Sequence, residues 1–371
     1  MSIDAGVDAW ATLAQKALPH RTIVELLRAF GDPIAVLRAS RTQLKSVVPE
    51  AAVDRLLAPV AVDRLAATRA WLEAPAHNLI AWDDVDYPRA LLDIGDAPPV
   101  LFHVGRRDLL NRTSIAIVGS RSATPQGVEN ARAFSAALSE AGVTIVSGLA
   151  LGIDAAAHDG ALHHAGSTIA VVGTGPDRIY PARNRTLALA IAERGTLISE
   201  YPPGTPARKE NFPRRNRLLS GLSRGVLVIE ATLSSGSLIT ARLAGEQGRD
   251  VFAIPGSIHS PFSKGPHKLI REGAKLVETA NDVLAEIGVV SPPRDKTSVP
   301  NGDHIVPDMQ WAELFAAIAH DPVDLDMLIA RTHMRADELQ AALTALELDG
   351  RVAALPGGKW QRLDPASRTR G

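Results

Sequence analysis

The sequence predicts a doubly wound α/β domain with a mostly parallel sheet. Between residues 114 and 279, short apolar runs rich in β-branched residues alternate with amphipathic helical patterns, which is typical of parallel strands joined by helices. The runs are continuously apolar instead of alternating with polar residues, so helices are expected on both faces of the sheet. The predicted strands are residues 114–120, 143–148, 167–173, 196–200, 225–231, 250–256 and 274–279.

Composition and net charge limit the kinds of protein and binding site that this sequence can form. A chain of 371 residues predicts two to three domains, and 46% apolar with 22% charged residues excludes disorder as its main state. The sequence contains no cysteine, which excludes a disulfide framework, a thiol nucleophile and thiolate metal sites. Without a long apolar span or a signal-peptide pattern, a cytoplasmic protein is expected. The net charge is −1, so a polyanion site requires a local concentration of charge.

Residues 1–75 are expected to form a small helical domain. Apolar residues recur at helical spacing over 22–30 and 53–72, and Gly31, Asp32 and Pro33 separate two helices. The segment 30–49 has the rhythm of a helix-hairpin-helix or SAM-like module. Such modules often contact DNA backbones, but the pattern suits any small helical packing unit, and that interpretation is favoured.

Three further regions follow. Residues 76–288 are expected to comprise a connector and the α/β domain, the proline-rich segment 77–112 being the connector. Residues 289–307 contain prolines and mixed charge without periodicity, and are predicted to be a linker. Three helical patterns and two short strands around a Pro-Gly-Gly turn predict a winged-helix domain over 308–365.

Small and polar residues end the predicted strands, where open parallel sheets bind ligands. Gly119-Ser120-Arg121 is one such end, and several in succession favour a phosphate-binding crest over simple tight turns. No GxxxxGK[ST] motif is present, and Gly173–Arg178 lacks the third glycine of a dinucleotide motif, so NAD is a weak hypothesis. The serine-rich segment 234–240 is expected to start a helix and to be able to accept an oxyanion.

Positive charge is concentrated in residues 206–224, where six basic residues face one acidic residue. This segment is expected on the same crest as Ser120 and Arg121, with Phe212 and Pro213 anchoring it and offering a face for base stacking. A repeating anionic ligand such as a nucleic-acid backbone suits it better than one small phosphate. The basic residues are Arg208, Lys209, Arg214, Arg215, Arg217 and Arg224.

Other polar residues have two interpretations each. Glu200 and Glu230, at neighbouring strand ends, are either a catalytic carboxylate pair or, as favoured, partners that hold arginines by bidentate pairing. His158, His163 and His164 could suggest a metal, but the spacing favours ordinary histidines on a helix. Asp154 is interpreted first as a helix N-cap.

Together these segments resemble the DNA-processing protein A family (DprA/Smf). The similarity covers about 190 residues in one order, so it is more specific than any single motif. The matching segments are 87–92, 115–121, 147–162, 168–184, 198–204, 211–223, 228–244 and 253–277.

The resemblance implies an extended Rossmann-like domain that binds single-stranded DNA in a basic pocket and helps load the RecA recombinase in natural transformation, without a catalytic residue, metal or cofactor. The winged-helix tail and the helical N-terminus are similar to appendages of this family. It also implies a homodimer, with Leu269 and Ile270 as interface candidates, although both could equally be core residues. With Ser120 and Arg214 from the crest analysis, the expected DNA-binding residues are Ser120, Arg121, Asn184, Lys209, Phe212, Arg214, Arg215, Asn216 and Arg217.

Two other functions are considered. A Rossmann-like nucleotide phosphoribohydrolase of the lysine-decarboxylase-like kind is the enzymatic alternative, but its PGGxGTxxE signature is absent from the sequence. A sequence-specific regulator would use the winged helix, yet the expected recognition helix over 335–350 is acidic and poorly suited to a major groove. That domain is interpreted as a protein-contact module.

Overall fold

The computed structural model describes residues 5–16, 18–289, 311–318, 322–355 and 357–363. Six helices come first, and the α/β domain and a small C-terminal domain follow. The N-terminal helices are α1 (Ala5–Ala14), α2 (His20–Phe30), α3 (Pro33–Arg38), α4 (Arg41–Lys45), α5 (Glu50–Leu57) and α6 (Val62–Leu72).

A nine-stranded sheet forms the centre of the molecule. Its strands are β1 (His77–Ala81), β2 (Val100–Gly105), β3 (Ser114–Val118), β4 (Thr144–Ser147), β5 (Thr168–Val171), β6 (Thr196–Ser199), β7 (Gly225–Val228), β8 (Asp250–Ala253) and β9 (Lys275–Leu276). The spatial order is β1-β2-β6-β5-β4-β3-β7-β8-β9. All pairs among β3–β9 are parallel, whereas β2 lies antiparallel to β6 and β1 antiparallel to β2.

Helices cover both faces of the parallel part, as the continuous apolar runs predict. On one face, Leu218 and Ala241 pack against Val118 and Val228 of the sheet. On the other, Leu138 and Ile153 pack with strand residues such as Ile117. The fold class predicted from the sequence is therefore confirmed. The helices of this domain are α7 (Pro125–Glu140), α8 (Ile153–Ala161), α9 (Arg185–Arg194), α10 (Asn211–Leu222), α11 (Ser237–Glu246), α12 (Lys264–Arg271) and α13 (Ala280–Glu286).

The segment interpreted as a connector contains two strands of the sheet. β1 and β2 pair from His77 with Val104 to Ala81 with Val100, and they extend the sheet beyond β6. β1 has five residues and β2 has six, and the prolines of this segment lie between them. The prolines are typical of turns, so the two short strands were not predicted. The intervening residues are themselves fixed, because the buried Tyr87 hydroxyl donates to the Pro98 carbonyl at 2.5 Å.

The N-terminal helices pack on this antiparallel extension. Leu26, Val36 and other buried residues of the helices form one apolar cluster with Val100 and Phe102 of β2. Trp71 of α6 meets the Phe102 ring edge-on, with 6.0 Å between centroids. The helical domain and the sheet therefore share a core.

The C-terminal part has the winged-helix arrangement. Its elements are α14 (Ala312–Ile318), β10 (Val323–Asp324), α15 (Leu325–Thr332), α16 (Ala336–Leu348), β11 (Val352–Leu355) and β12 (Lys359–Arg362), with sheet order β10-β12-β11. Leu328, Leu343 and Trp360 are buried in its core. The predicted linker, apart from residue 289, lies outside the described residues. None of the helices in the described ranges is long and apolar enough to span a bilayer.

Candidate nucleic-acid interface

A cavity of about 700 Å³ opens at the carboxyl ends of the parallel strands. Its lining comes from the turn after β3, the region between β4 and the start of α8 including Asp154, the segment before α9, α10 and the start of α11. This is the crest at which the sequence analysis expected a phosphate site. Six of the nine expected DNA-binding residues line the cavity, and these are Ser120, Arg121, Lys209, Phe212, Arg215 and Asn216.

Arg121 follows a turn that the sheet holds in place. The Ser120 N–H donates to the Glu230 carbonyl at 2.7 Å, and the Ser120 carbonyl accepts from the Ile153 N–H at 3.2 Å. The Arg121 side chain is exposed, and its guanidinium carbon lies 5.9 Å from the centre of the Phe212 ring. Within the described residues this guanidinium forms no hydrogen bond or ion pair. Its donors are therefore available to a phosphate.

Two aromatic rings lie beside this cation. Phe212, in the first turn of α10, and Tyr180 have ring centroids 5.4 Å apart and planes inclined by 42°. Tyr180 is 48% exposed and lines the same cavity. Tyr180 is not among the residues predicted for the site, although it lies within the segment 168–184 that carries the family resemblance. Phe212 is half-buried, and accessible rings next to a cation can stack unpaired bases.

Arg215 forms a wall of the cavity, but its Nη1 is bound within the protein and its Nε is buried. Its Nη1 donates to the Gly148 carbonyl at 2.7 Å and also to the Val171 carbonyl. The side chain is buried, and burial lowers its pKa to about 10, so the guanidinium remains charged at neutral pH. A Cβ atom on Gly148 would lie 2.4 Å from Arg215 Nη2, so glycine is required there. Arg215 thus offers the cavity a fixed positive charge, in contrast to the free donors of Arg121.

The loop between β4 and α8 contains Gly148, whose carbonyl binds Arg215, and this loop is itself held by hydrogen bonds. Asp154 accepts from the Gly148 N–H at 3.1 Å and from the Ala150 N–H at 3.4 Å. It stands inside α8 and binds the preceding loop, so its interpretation as a helix N-cap is wrong. Asn184 donates through Nδ2 to the carbonyls of Leu149 and Ala150, at 2.9 and 3.1 Å. Asn184 therefore holds the loop and does not line the cavity.

Hydroxyl groups form another part of the lining. Ser235 and Ser237 are hydrogen-bonded to each other at 2.7 Å at the start of α11, and the Asn216 Nδ2 reaches the Gly236 carbonyl at 3.4 Å. The serine-rich segment starts a helix as expected, and no side chain caps it. These neutral groups can hydrogen-bond a base, a sugar or a phosphate oxygen. The hydroxyl residues of the lining are Ser120, Ser122, Thr232, Ser235, Ser237 and Thr240.

Arg214 and Arg217 lie on a different face of α10. Successive helical residues are rotated by about 100°, which separates Arg214 and Arg217 from Phe212 and Arg215. Arg217 is buried and makes two bonds to Glu200, Nη1 to Oε1 at 3.1 Å and Nη2 to Oε2 at 2.9 Å. The Arg214 Nε lies 3.7 Å from Glu200 Oε2. Neither arginine lines the cavity, and the expected pairing of Glu200 with arginine is confirmed.

Glu230 has a different partner. Its carboxylate accepts from the Thr124 N–H at 2.9 Å and from the Thr124 hydroxyl at 2.6 Å, just before α7 begins at Pro125. The expectation that Glu230 holds an arginine is therefore wrong. Burial raises its pKa, and the two bonds from Thr124 oppose that shift.

The interface candidates on α12 lie at its inner side. Leu269 is only 9% exposed and belongs to the core of the α/β domain. Ile270 is half-buried against the same core, whereas Leu276 on the edge strand β9 is 49% exposed. Leu269 is therefore a core residue, and the more accessible apolar groups here are Ile270 and Leu276.

Of the three histidines considered as metal ligands, only His158 lies in α8, while His163 and His164 follow its end. His158 is buried and its Nδ1 lies 2.7 Å from the Thr168 hydroxyl, while His163 contacts Arg194 at 3.0 Å. Among the described residues, no group of three potential ligands is arranged to hold a metal ion. The cavity itself offers three cations, Arg121, Lys209 and Arg215, with two rings and hydroxyl groups, which is chemistry for binding an anionic, base-bearing ligand.

Comparison with known proteins identifies a family of DNA-processing proteins. The family model for DNA recombination-mediator protein A matches residues 78–288, and the DprA winged-helix model matches residues 306–358. Protein Smf of Escherichia coli K12 is 44% identical over 296 residues, which are 78% of each chain. DNA processing protein DprA of Streptococcus pneumoniae R6 is 52% identical over 200 residues, 54% of this chain and 71% of that protein.

Solved structures give the same result. The X-ray structure of DprA from Streptococcus pneumoniae has a TM-score of 0.67 at 39% identity, covering 77% of this chain and 99% of that chain. A structure of DNA processing protein A from Helicobacter pylori, described for its single-stranded DNA binding mode, has a TM-score of 0.52 at 31% identity, covering 57% and 95%. The chain belongs to the DNA recombination-mediator protein A family.

Proposed function

We propose that this protein binds single-stranded DNA in the cavity and acts as a recombination mediator in DNA processing, without catalysing a reaction. The observation that carries the proposal is the free Arg121 guanidinium beside the Phe212 and Tyr180 rings. A phosphate bound by Arg121 would bring the adjoining base to these rings. The Helicobacter pylori relative, whose structure is described by its single-stranded DNA binding mode, supports this assignment.

The same geometry favours single strands over duplex. Stacking on Phe212 or Tyr180 requires a base whose face is free, and in a duplex both faces are covered by neighbouring base pairs. Lys209 at the rim is exposed and supplies mainly Coulomb attraction, which carries no sequence information. Little sequence preference and a strong dependence on salt are therefore expected.

We further propose that the bound strand is passed to the RecA recombinase and that the protein acts as a homodimer, as in natural transformation. Family membership supports this extension. The apolar groups available near the sheet edge are Ile270 and Leu276, and Leu276 is the more exposed. Light scattering of Ile270→Glu and Leu276→Glu tests the dimer. Folded monomers would support it, and an unchanged dimer would exclude this edge.

The proposed function is tested by titrating single- and double-stranded oligonucleotides of equal length across salt. The parent should prefer the single strand, and Arg121→Ala should weaken that complex. Arg132→Ala is the matched control, because it removes an exposed arginine of α7 that pairs with Asp159 and does not line the cavity. Equal binding of duplex, salt-insensitive binding, or equal effects of the two variants would contradict the proposal.

A further inference from the structure

His20 is the first residue of α2 and lies at the junction of the helical domain with α10. Its Nε2 lies 3.3 Å from Glu200 Oε2 and 3.2 Å from Arg214 Nη2. Its Nδ1 lies 2.9 Å from Arg217 Nη2 and 3.3 Å from the Asp96 carbonyl. One imidazole of the helical domain therefore contacts both arginines on the far side of α10.

These arginines lie on the same helix, α10, that presents Phe212 and Arg215 to the cavity. Phe212 and Arg215 face the cavity, whereas Arg214 and Arg217 face Glu200 and the helical domain. Arg217 also donates through Nε to Asp96 at 2.7 Å. Because a helix moves as a rigid rod over a few turns, groups that fix its far side also fix the side facing the cavity.

We infer that His20 is a positioning residue for the DNA site: its neutral imidazole donates to Glu200 through Nε2, accepts from Arg217 at Nδ1 and lies beside Arg214, so that the N-terminal helical domain sets the orientation of α10. The inference rests on the proposed function. It gives the helical domain a role in binding that requires no contact between that domain and DNA.

The hydrogen bonds at His20 suit the neutral ring. With the proton on Nε2, the ring donates to Glu200 while Nδ1 accepts from Arg217, and the opposite tautomer donates to the Asp96 carbonyl while Nε2 accepts from Arg214. A protonated ring would place a third positive charge between the two guanidiniums.

The charges around His20 set the direction of its pKa. Burial lowers the pKa below its ordinary value, Glu200 opposes this, Arg217 and Arg214 add to it, and the bond to the Asp96 carbonyl raises the pKa slightly. The ring is therefore neutral at neutral pH. Acidification charges it and loosens its contacts with both arginines.

The experiment uses the full chain with His20→Ala, His20→Gln and the control His163→Ala, which removes an exposed histidine that contacts Arg194 away from the cavity. Glutamine keeps one donor and one acceptor but cannot be protonated. At neutral pH, His20→Ala should weaken single-strand binding about three- to tenfold, of the order expected for losing hydrogen bonds to charged groups. His20→Gln should restore binding to within about twofold of the parent, and His163→Ala should bind like the parent.

A pH series distinguishes positioning from simple structural support. Because the pKa of His20 is lowered, the ratio of His20→Gln affinity to parent affinity should stay level down to about pH 6.5, the ordinary histidine pKa, and should rise only below it. If His20→Ala fails to fold, this ratio still decides. A ratio that stays flat down to the lowest pH at which both proteins remain folded, or parental binding by a folded His20→Ala, would overturn the inference. Failure of the parent to bind single strands, or insensitivity to Arg121→Ala, would instead overturn the proposed function.

Discussion

The guanidinium of Arg121 lies over the Phe212 ring, 5.9 Å from its centre, although 90 residues of sequence separate them. Arg121 is carried by the turn after β3, and Phe212 by the first turn of α10. The Asn211 side chain donates to the Gly173 carbonyl at 2.9 Å and ties the start of α10 to the turn after β5. Cation and ring are thus held by different elements that meet only in the folded protein.

Replacing Arg121 should cost DNA binding about 1–3 kcal/mol, the range for hydrogen bonds to charged groups. Arg121→Lys should recover only part of this, because lysine keeps the charge but loses the planar fork and its contact with the ring. Fluorescence anisotropy with a labelled single strand measures both variants. Binding of Arg121→Lys equal to the parent would reduce the site to a patch of charge.

Arg215→Ala should destabilise the fold as well as weaken binding. The substitution leaves the carbonyls of Gly148 and Val171 without their donor and Asp154 without its neighbouring cation. The loss of folding free energy should be about 3 kcal/mol, as for removing one partner of a buried charged group. Urea denaturation measures it. Arg208→Ala is the contrast, since this exposed arginine precedes α10 and should affect stability and binding little. Equal damage from both variants would contradict the assignment.

Tyr180→Ala should weaken single-strand binding by about 1–3 kcal/mol, whereas Tyr180→Phe should bind like the parent, because stacking needs the ring and not the hydroxyl. The Phe212 ring is only 5.4 Å away and supplies part of the surface, so the lower end of the range is expected. An abasic oligonucleotide should bind the parent and Tyr180→Ala equally. If Tyr180→Ala loses affinity for abasic DNA to the same extent, the ring acts on the fold and not on bases.

Acid should destabilise the fold through two buried histidines. Burial lowers the pKa of His158 to about 3 and that of His103 to about 4. Above about pH 6.5 both rings are neutral in the folded and the unfolded protein. Below it the rings become protonated in the unfolded chain but stay neutral in the folded protein, which favours unfolding. Stability should therefore fall as the pH drops from about 6.5 towards 4, by up to about 1.4 kcal/mol per pH unit for each ring.

His103→Leu tests this acid effect. Among the described residues neither His103 ring nitrogen has a hydrogen-bond partner of ordinary geometry, and the Arg106 backbone and, less strongly, Asp86 oppose the effect of burial on its pKa, so the substitution removes little hydrogen bonding. Its urea midpoint should depend less on pH than that of the parent. Parallel curves for the two proteins would show that His103 does not contribute.

The parallel strands and the winged helix could be predicted because their apolar periods are local properties of the sequence. The strands β1 and β2 could not be predicted, because their short apolar runs are separated by prolines. They are stabilised by contacts distant in sequence: β2 pairs with β6, and the helical domain packs on both strands. The sequence predicted that basic residues gather at the site, but not which way each side chain points. Arg214 and Arg215 are adjacent in sequence, yet one faces His20 and the other the cavity, and only the helical rotation of α10 separates them.

The shared core of the N-terminal helices and β2 makes the two regions thermodynamically inseparable. Phe102 is fully buried, and its covering includes Trp71 of α6. A chain shortened to begin at residue 76 would expose the apolar face of β1 and β2 to water and would tend to self-associate. On heating, the helices and the nine-stranded sheet should melt in a single calorimetric transition, so a boundary that is obvious in the sequence is not a boundary of cooperative unfolding.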